Sequence, residues 1–274
     1  MGPGIVFQGS VSLFYILMEY FLIAATALLA SALTLFSGFG LGTILLPAFA
    51  LFFPVDTAIA MTAIVHLLNN IFKLFLVGKH ANQEVVLKFG LTAFLFALAG
   101  ALLLVKFSEL SPITYYTFAG NTYYITPVKL VIGILILLFA LWDFSASFRN
   151  MAIAKKWLPL GGALSGFFGG LSGHQGALRS AFLIKSGLSK ESFIATGVII
   201  AAIIDVSRLF IYSSRFSLEF KGNNLAILIT AIIAAFSGAY IGARLIKKVT
   251  LQGIHLLVGI LLVVIALGII LGII

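Results

Sequence analysis

Long apolar runs with few charges constrain this chain most. Several continuous hydrophobic stretches exceed about 18 residues, the length at which an apolar helix can cross a bilayer. A membrane barrel would instead show alternating segments of about ten residues. With 62% hydrophobic and 9% charged residues, a soluble domain would lack the polar surface to stay dissolved. We therefore predict an all-α integral membrane protein with little chain outside the bilayer.

The charge and cysteine content narrow the chemistry further. The formal net charge of +9 has two interpretations. It can be cytoplasmic loop charge that contacts anionic lipid, or it can partly attract an anionic substrate. The chain has no cysteine, which excludes disulfides and thiolate chemistry. The N-terminal residues lack the basic region of a signal peptide, so we expect the first apolar run to remain as a helix.

Glycines interrupt one apolar stretch, residues 33–54 (LTLFSGFGLGTILLPAFALFFP). The second piece, residues 43–53, is too short to cross a bilayer, which needs about 20 apolar residues. A helix break inside a membrane frees backbone groups that only protein or a water-filled cavity can satisfy. The residues at this break are Ser37, Gly38, Gly40 and Gly42. Such a break is a natural place for a substrate site.

The same construction recurs at residues 163–187 (ALSGFFGGLSGHQGALRSAFLIKSG), in the second half of the chain. Other segments match in the same order, with small insertions. The matched positions are 33–38 with 164–169, 48–49 with 181–182, Asn70 with Asp205, 73–75 with 208–210, Gly100 with Gly238, and 129–135 with 255–261. The order indicates duplication, and paired Gly-interrupted segments are the best sequence indication of a transporter site.

The predicted architecture is two inverted repeats within one transmembrane domain, with 8–10 hydrophobic segments in total. The first half covers residues 1–147, a basic cytoplasmic linker covers 148–156, and the second half covers 157–274. Each half contains a broken or re-entrant helix pair and three transmembrane helices. The broken pairs are 13–36 with 43–53, and 157–170 with 175–185; the spans are 58–77, 85–105, 127–144, 189–212, 224–246 and 255–274. The tyrosine-rich segment 106–126 is predicted as a loop at the membrane–water interface.

The distribution of basic residues predicts the topology. If each broken pair enters the membrane and returns to the same side, ten basic residues are cytoplasmic: Lys79, Lys88, Arg149, Lys155, Lys156, Lys185, Lys190, Arg244, Lys247 and Lys248. Four are then outside: Lys106, Lys129, Arg215 and Lys221. Three full crossings per half, an odd number, would invert the halves relative to each other and place both termini outside.

The two breaks are the predicted anion site. Backbone N–H groups cluster at the N-terminus of a short helix, where about half a positive charge favours anions. The alternative is that the glycines only let helices pack closely. The predicted substrate-binding residues are Ser37, Gly38, Gly40, Gly42, Thr43, Ser172, Gly173, His174, Gln175, Gly176 and Arg179.

Charged and polar residues inside the spans are secondary candidates. Arg179 either faces a cavity or extends to an interface, since a charge at the bilayer centre costs about 2.5–3.5 kcal/mol. Asp205 and Arg208 are spaced to pair on one helix face, as a structural or as a functional unit. His66 is either a proton relay or a packing residue. The secondary candidates are His66, Asn70, Lys73, Asp205 and Arg208.

Enzyme chemistry has no support in the sequence. It contains no metal-ligand cluster, nucleophile–base arrangement, Walker motif or dinucleotide fingerprint. We therefore expect a protein that is not an enzyme, with no cofactor and no nucleic-acid partner. The expected partners are a small anionic substrate and membrane lipid, with a proton or a sodium ion as the candidate coupling ion.

The two breaks, SGFGLG and GGLSGHQG, are each followed by a short helix and a long helix that carries a basic residue near its end. This arrangement resembles the sulfite exporter TauE/SafE family of permeases over about residues 13–274. The resemblance implies a multi-pass protein of the bacterial inner membrane that moves small sulfur-containing anions such as sulfite, thiosulfate or sulfonates. Secondary transport is the leading hypothesis, and a channel-like or receptor membrane protein on the same scaffold is the alternative.

Overall fold

We describe a computed structural model of the chain, which defines residues 4–37, 41–145, 151–216, 223–245 and 252–274. The helices of the first half are α1 Gly4–Ser37, α2 Leu41–Ala50, α3 Val55–Val77, α4 Gln83–Ser108 and α5 Pro127–Phe144. Those of the second half are α6 Leu158–Ser172, α7 Gly176–Leu183, α8 Lys190–Phe216, α9 Asn223–Leu245 and α10 Gln252–Ile270. Short 3₁₀ turns lie at Gly78–His80 and Lys155–Trp157, and two strands, β1 Thr114–Phe118 and β2 Asn121–Ile125, connect α4 to α5.

Helix length and side-chain exposure both indicate a membrane environment. Among the described residues, α1, α3, α4, α8 and α9 contain stretches long and apolar enough to cross a bilayer. Shorter apolar helices lie within α2, α5 and α10. Large apolar side chains point outward from the long helices, and Phe21, Phe75 and Phe210 are each more than 70% exposed. The all-α membrane class is therefore confirmed, and the protein is a multi-pass membrane protein.

The predicted helix ends agree with the structure within four residues, except at the start of α1. That helix begins at Gly4 rather than at residue 13, and it has 34 residues against 15 in α6. The first broken pair is therefore longer than the second. The division into two halves stays a prediction, and residues 146–150 of the predicted linker lie outside the described residues.

The connection between α4 and α5 is an antiparallel hairpin, where a loop had been predicted. Ala119 (φ 48°) and Gly120 (φ 83°) form its two-residue turn, and Phe118 pairs with Asn121 across it. Two positive φ values match the twist of a tight hairpin. The rings of Tyr116 and Tyr123 stack across the strands at 5.3 Å. Cross-strand aromatic pairs stabilise such ribbons, which explains how the tyrosines form strands here.

Glycines let α4 and α6 pack with their backbones in contact. A Cβ on Gly100 would overlap the carbonyl oxygen of Phe167, and a Cβ on Gly166 would overlap that of Ala93. The equivalent contact joins α9 to α1, where a Cβ on Gly238 would overlap the carbonyl oxygen of Leu28. The fourth helix of each half thus packs against the first helix of the other. An inverted repeat would produce these contacts, and the inversion itself stays a prediction.

The second broken pair begins and ends at the same end of the molecule. Just before α6, the Ile153 amide donates a hydrogen bond to the carbonyl oxygen of Ala181 near the end of α7 (2.9 Å). Lys155 also pairs with Glu84 in the first turn of α4 (2.9 Å). The turn between α6 and α7 consequently lies inside the helix bundle.

Candidate functional site

The breaks of the two halves meet at Gly42 and Gly173. A Cβ on Gly42, in the first turn of α2, would lie 3.6 Å from the Gly173 carbonyl oxygen and 3.5 Å from Thr62 Cγ2. The neighbouring Thr43 is buried in the same turn. Two other predicted site residues, Gly38 and Gly40, lie outside the described residues, as does the side chain of Ser37. The structure therefore brings the described part of the first break against the second.

The second break has a local cause in its glycine. Gly173 caps α6 with φ 81°, a left-handed conformation that favours glycine at this position. A Cβ there would also lie only 2.9 Å from Arg208 Nη1, so glycine leaves space for the guanidinium. The Ser165 hydroxyl donates to the Gln175 carbonyl oxygen (3.0 Å), which joins the two sides of the break before α7 restarts at Gly176.

Asp205 lies at the centre of a buried polar network. Its Oδ1 accepts hydrogen bonds from Arg208 Nε (3.0 Å) and Nη2 (2.7 Å) and from Gln175 Nε2 (3.3 Å). Its Oδ2 accepts from His66 Nδ1 (2.7 Å) and Asn70 Nδ2 (3.2 Å). The network joins α3 of the first half to α8 of the second half. The secondary candidates His66, Asn70, Asp205 and Arg208 therefore share one cluster with the predicted residue Gln175.

Lys73 occupies a different position from the rest of the secondary candidates. With the Asn69 amide oriented to satisfy both of its ends, the amide oxygen lies 3.2 Å from Lys73 Nζ. The amide nitrogen then donates to the Ala235 carbonyl oxygen (3.2 Å), and Ser31 Oγ lies 3.1 Å away. Lys73 thus contacts the α1–α9 side of α3 rather than Asp205. Sequence reasoning missed Asn69 and Ser31 as its neighbours.

Arg179 is buried inside the bundle, not extended to an interface. Its Nη1 donates to Gln175 Oε1 (3.0 Å), and the same Gln175 side chain reaches Asp205 through its nitrogen. Arg179 is therefore connected to the network through the break residue. It lies in α7, one turn beyond the break, as the spacing predicts.

Positive charge exceeds negative charge in this interior. Among the described residues, the buried cations are Lys73, Arg179 and Arg208, and the buried carboxylate is Asp205. A charge without a partner is costly in a membrane interior, since hydrocarbon cannot solvate it. The arrangement favours a ligand with negative charge.

Three buried side-chain atoms have no hydrogen-bond partner among the described residues: Thr62 Oγ1, His174 Nε2 and Arg208 Nη1. All three residues lie near the point where Gly42 meets Gly173. A Cβ on Gly42 would lie 3.5 Å from Thr62 Cγ2, a Cβ on Gly173 would lie 2.9 Å from Arg208 Nη1, and His174 follows Gly173 in the chain. Native proteins rarely leave buried polar groups unpaired without a ligand or other cause. The other hydroxyl of the break, on Ser172, is already occupied by the Phe168 carbonyl oxygen (3.0 Å).

Thr62 was missed in the sequence analysis, although a signal for it exists. It lies four residues before His66 on α3, and Asn70 follows four residues later. Residues spaced by four lie on the same face of a helix. Thr62, His66 and Asn70 therefore form one polar stripe on an otherwise apolar span, and this pattern could have identified Thr62 from the sequence.

The described residues hold no group of three or more His, Asp or Glu side chains arranged to bind a metal ion. Comparison with known proteins gives one family match. The model of the family described as sulfite exporter TauE/SafE matches residues 23–269, a range that contains both breaks. No curated protein and no solved structure matches the chain.

Proposed function

Because the chain belongs to the sulfite exporter TauE/SafE family of membrane permeases, we propose that it is a secondary transporter of one small sulfur-containing oxyanion. The anion binds where the two breaks meet, between Gly42 and Gly173, and crosses the bacterial inner membrane. Sulfite and thiosulfate are the first substrates to test, with sulfonates as a larger class. The proposed partners are this anion, membrane lipid and a coupling ion.

The excess of buried cations carries this proposal. Arg208 uses two of its nitrogens on Asp205 and keeps Nη1 directed at Gly173. Arg179 adds a second guanidinium one turn into α7. A small oxyanion offers mostly acceptor oxygens, and each hydrogen bond to a charged group contributes about 1.5–3 kcal/mol. The N-terminus of α2 at Leu41 and Gly42 adds a positive dipole end beside the same point.

Replacing Arg179 with glutamine tests the site. Arg179→Gln should lower the uptake of radiolabelled sulfite or thiosulfate into proteoliposomes about tenfold or more, because one charge-assisted contact is lost. Arg244→Gln is the matched control, since Arg244 is exposed and stacks on Tyr240. Size-exclusion chromatography reports the fold of each variant. A well-folded Arg179→Gln protein with the parental uptake rate would place the anion elsewhere.

Counterflow distinguishes a carrier from a channel. A carrier loaded with unlabelled sulfite should accumulate labelled sulfite transiently, because each binding site returns occupied. A channel lets both pools equilibrate without that overshoot. Uptake without counterflow would favour the channel alternative on the same scaffold.

A further inference from the structure

The protonation of His174 can be read from its neighbours. The Ser172 hydroxyl donates to the Phe168 carbonyl oxygen (3.0 Å), so its oxygen is free only to accept. The Ser172 carbonyl oxygen can also only accept. His174 Nδ1 lies 3.2 Å from both of these oxygens. Nδ1 therefore carries a hydrogen and donates to Ser172.

This leaves the second ring nitrogen of His174 with a defined character. In a neutral imidazole with hydrogen on Nδ1, Nε2 is an acceptor only. That nitrogen is buried and has no partner among the described residues. The Phe139 ring stacks on the imidazole at 5.2 Å and 7°, and it holds the plane of the ring. Nε2 is consequently a fixed acceptor on the residue that follows Gly173 in the chain.

The other two unpartnered atoms, on residues near the meeting of Gly42 and Gly173, can both donate a hydrogen bond. Arg208 Nη1 can only donate, and the Thr62 hydroxyl can donate or accept. A fully deprotonated oxyanion would satisfy Arg208 but would place a lone pair against the lone pair of neutral His174. A ligand that fits all three atoms must accept at one oxygen and donate from another. A monoprotonated oxyanion has this pattern.

We propose that the site binds its oxyanion together with one proton, which lies between a ligand oxygen and His174 Nε2. This rests on the proposed function and names the ligand class, a weak-acid oxyanion such as hydrogensulfite. The proton balance is the same for either starting species. The monoanion binds to neutral His174 with its own proton, whereas the dianion takes one proton from solvent as it binds. Each transported anion therefore carries one proton with it.

The other buried charged and titratable groups near His174 have partners of their own, so His174 Nε2 is the proton site. Arg208 on α8 acts on the ring electrostatically, and Asp205 pairs with that Arg208. His66 on α3 spends Nδ1 on Asp205 and has Asn70 Nδ2 at 3.5 Å from Nε2. Among the described residues, the remaining buried charges are Arg179 on α7, next to Gln175, and Lys73 on α3, next to Asn69. His174 is the buried histidine whose second nitrogen is unoccupied in the described part of the chain.

Isothermal titration calorimetry can measure how many protons the protein–ligand complex takes up when sulfite binds. Purified wild-type protein is titrated with sulfite in two buffers of different ionisation enthalpy, at a pH where sulfite is mostly the dianion. The difference between the two heats should correspond to uptake of about one proton for each sulfite bound. Sulfate, which stays deprotonated near neutral pH, should bind more weakly than sulfite. These measurements need no variant.

His174→Gln removes the exchangeable proton but keeps a side-chain nitrogen that can donate. This variant should still bind sulfite, and its proton uptake should fall from about one to zero. His174→Asn replaces it if the glutamine variant aggregates. His80→Gln, an exposed histidine after α3, is the matched control, and His66→Gln tests the other buried histidine. His80→Gln should retain the proton uptake of the wild type.

The outcomes separate this inference from the proposed function. Sulfite binding without proton uptake by the wild type would overturn the inference and leave the transporter intact. Loss of proton uptake in His66→Gln but not in His174→Gln would also overturn it. A wild-type protein that neither binds nor transports sulfite or thiosulfate would overturn the proposed function together with the inference.

Discussion

At Asp205, one carboxylate receives hydrogen bonds from four side chains that belong to both halves of the protein. Such pairing is what lets a charge persist in a membrane interior, because several donors replace the lost water. Because Arg208 uses Nε and Nη2 on Asp205, its third nitrogen, Nη1, has no partner among the described residues. The structural and functional interpretations of the Asp205–Arg208 pair are therefore compatible, since one side of the guanidinium holds the network and the other faces the break.

The coupling of this pair can be measured as stability. Asp205→Asn alone leaves Arg208 as a buried cation without its counter-charge, and Arg208→Gln alone leaves a buried carboxylate. Each single change should lower the free energy of unfolding by about 3–5 kcal/mol. The double variant should lose less than the sum of the two. Denaturant unfolding in detergent provides the measurement.

The surface pair Glu84–Lys155 is the control for that comparison. Both side chains are about half exposed and lie 2.9 Å apart. Glu84→Gln should change stability far less than either buried variant, because water screens an exposed pair. If the Asp205 and Arg208 variants combine additively, the two buried residues are not coupled.

At the scale of elements, close backbone contacts fix the positions of the first helices of the broken pairs, α1 and α6, against α9 and α4. The α4–α6 contact packs the full-length α4 against the half-length α6, so the break after Ser172 lies at the level of the α4 interior. Helix association in membranes depends on this close packing, since lipid tails are as apolar as the side chains. The glycine pattern is thus consistent with both interpretations given for the breaks. The glycines along α6 allow close helix packing, and those at its end lie at the candidate site.

Two glycines on α4 provide a matched test of the contact. Gly100→Ala should lower the free energy of unfolding by about 1–3 kcal/mol, because the new methyl overlaps the α6 backbone. Gly90→Ala should be neutral or stabilising by up to about 1 kcal/mol, because alanine favours helix. Its Cβ would meet side-chain tips and no backbone, with Ile203 Cδ1 at 3.1 Å and Val86 Cγ1 at 3.9 Å. Equal stability of the two variants would mean that α4 and α6 are not packed this closely.

At the scale of the whole molecule, the C-terminus and the hairpin lie at one end. Tyr116 Oη donates to the Leu271 carbonyl oxygen (2.8 Å), and Lys129 Nζ donates to that of Gly272 (3.2 Å). The contacts of Ile153 and Lys155 hold a second group of segments together. This group contains the start of α4, the segment before α6 and the end of α7. These two groups of contacts mark two regions of the molecule. The distribution of basic residues predicts on which side of the membrane each region lies.

The predicted orientation places the hairpin and the C-terminus outside. A reporter fused after Ile274 and another inserted between Ala119 and Gly120 should both be accessible from the outer side. A reporter within residues 148–156 should be cytoplasmic and serves as the control, because basic residues mark the inner side. A cytoplasmic signal from the reporter after Ile274 would reverse the orientation.

The sequence by itself determined the membrane class, the positions of both breaks and the helix ends within four residues, apart from the start of α1. These features are local, because apolar length and glycine placement act within one helix or between its neighbours in the chain. The match of Gly100 with Gly238 also followed from the sequence, since both let a fourth helix approach a first helix. The hairpin was not predicted, because its strands depend on tyrosine pairs across the turn.

Only the tertiary structure decided which polar atoms share the site. Lys73 and Arg208 occupy matching positions in the predicted repeat, yet Lys73 lies next to Asn69 while Arg208 pairs with Asp205 and lies near Gly173. Thr62 and His174 are 112 positions apart in the chain, and the meeting of Gly42 with Gly173 brings their residues to one point. The physical reason is that helical periodicity assigns a side chain to a face of its own helix. Which faces meet depends on how the helices cross, and that is a property of the packed bundle.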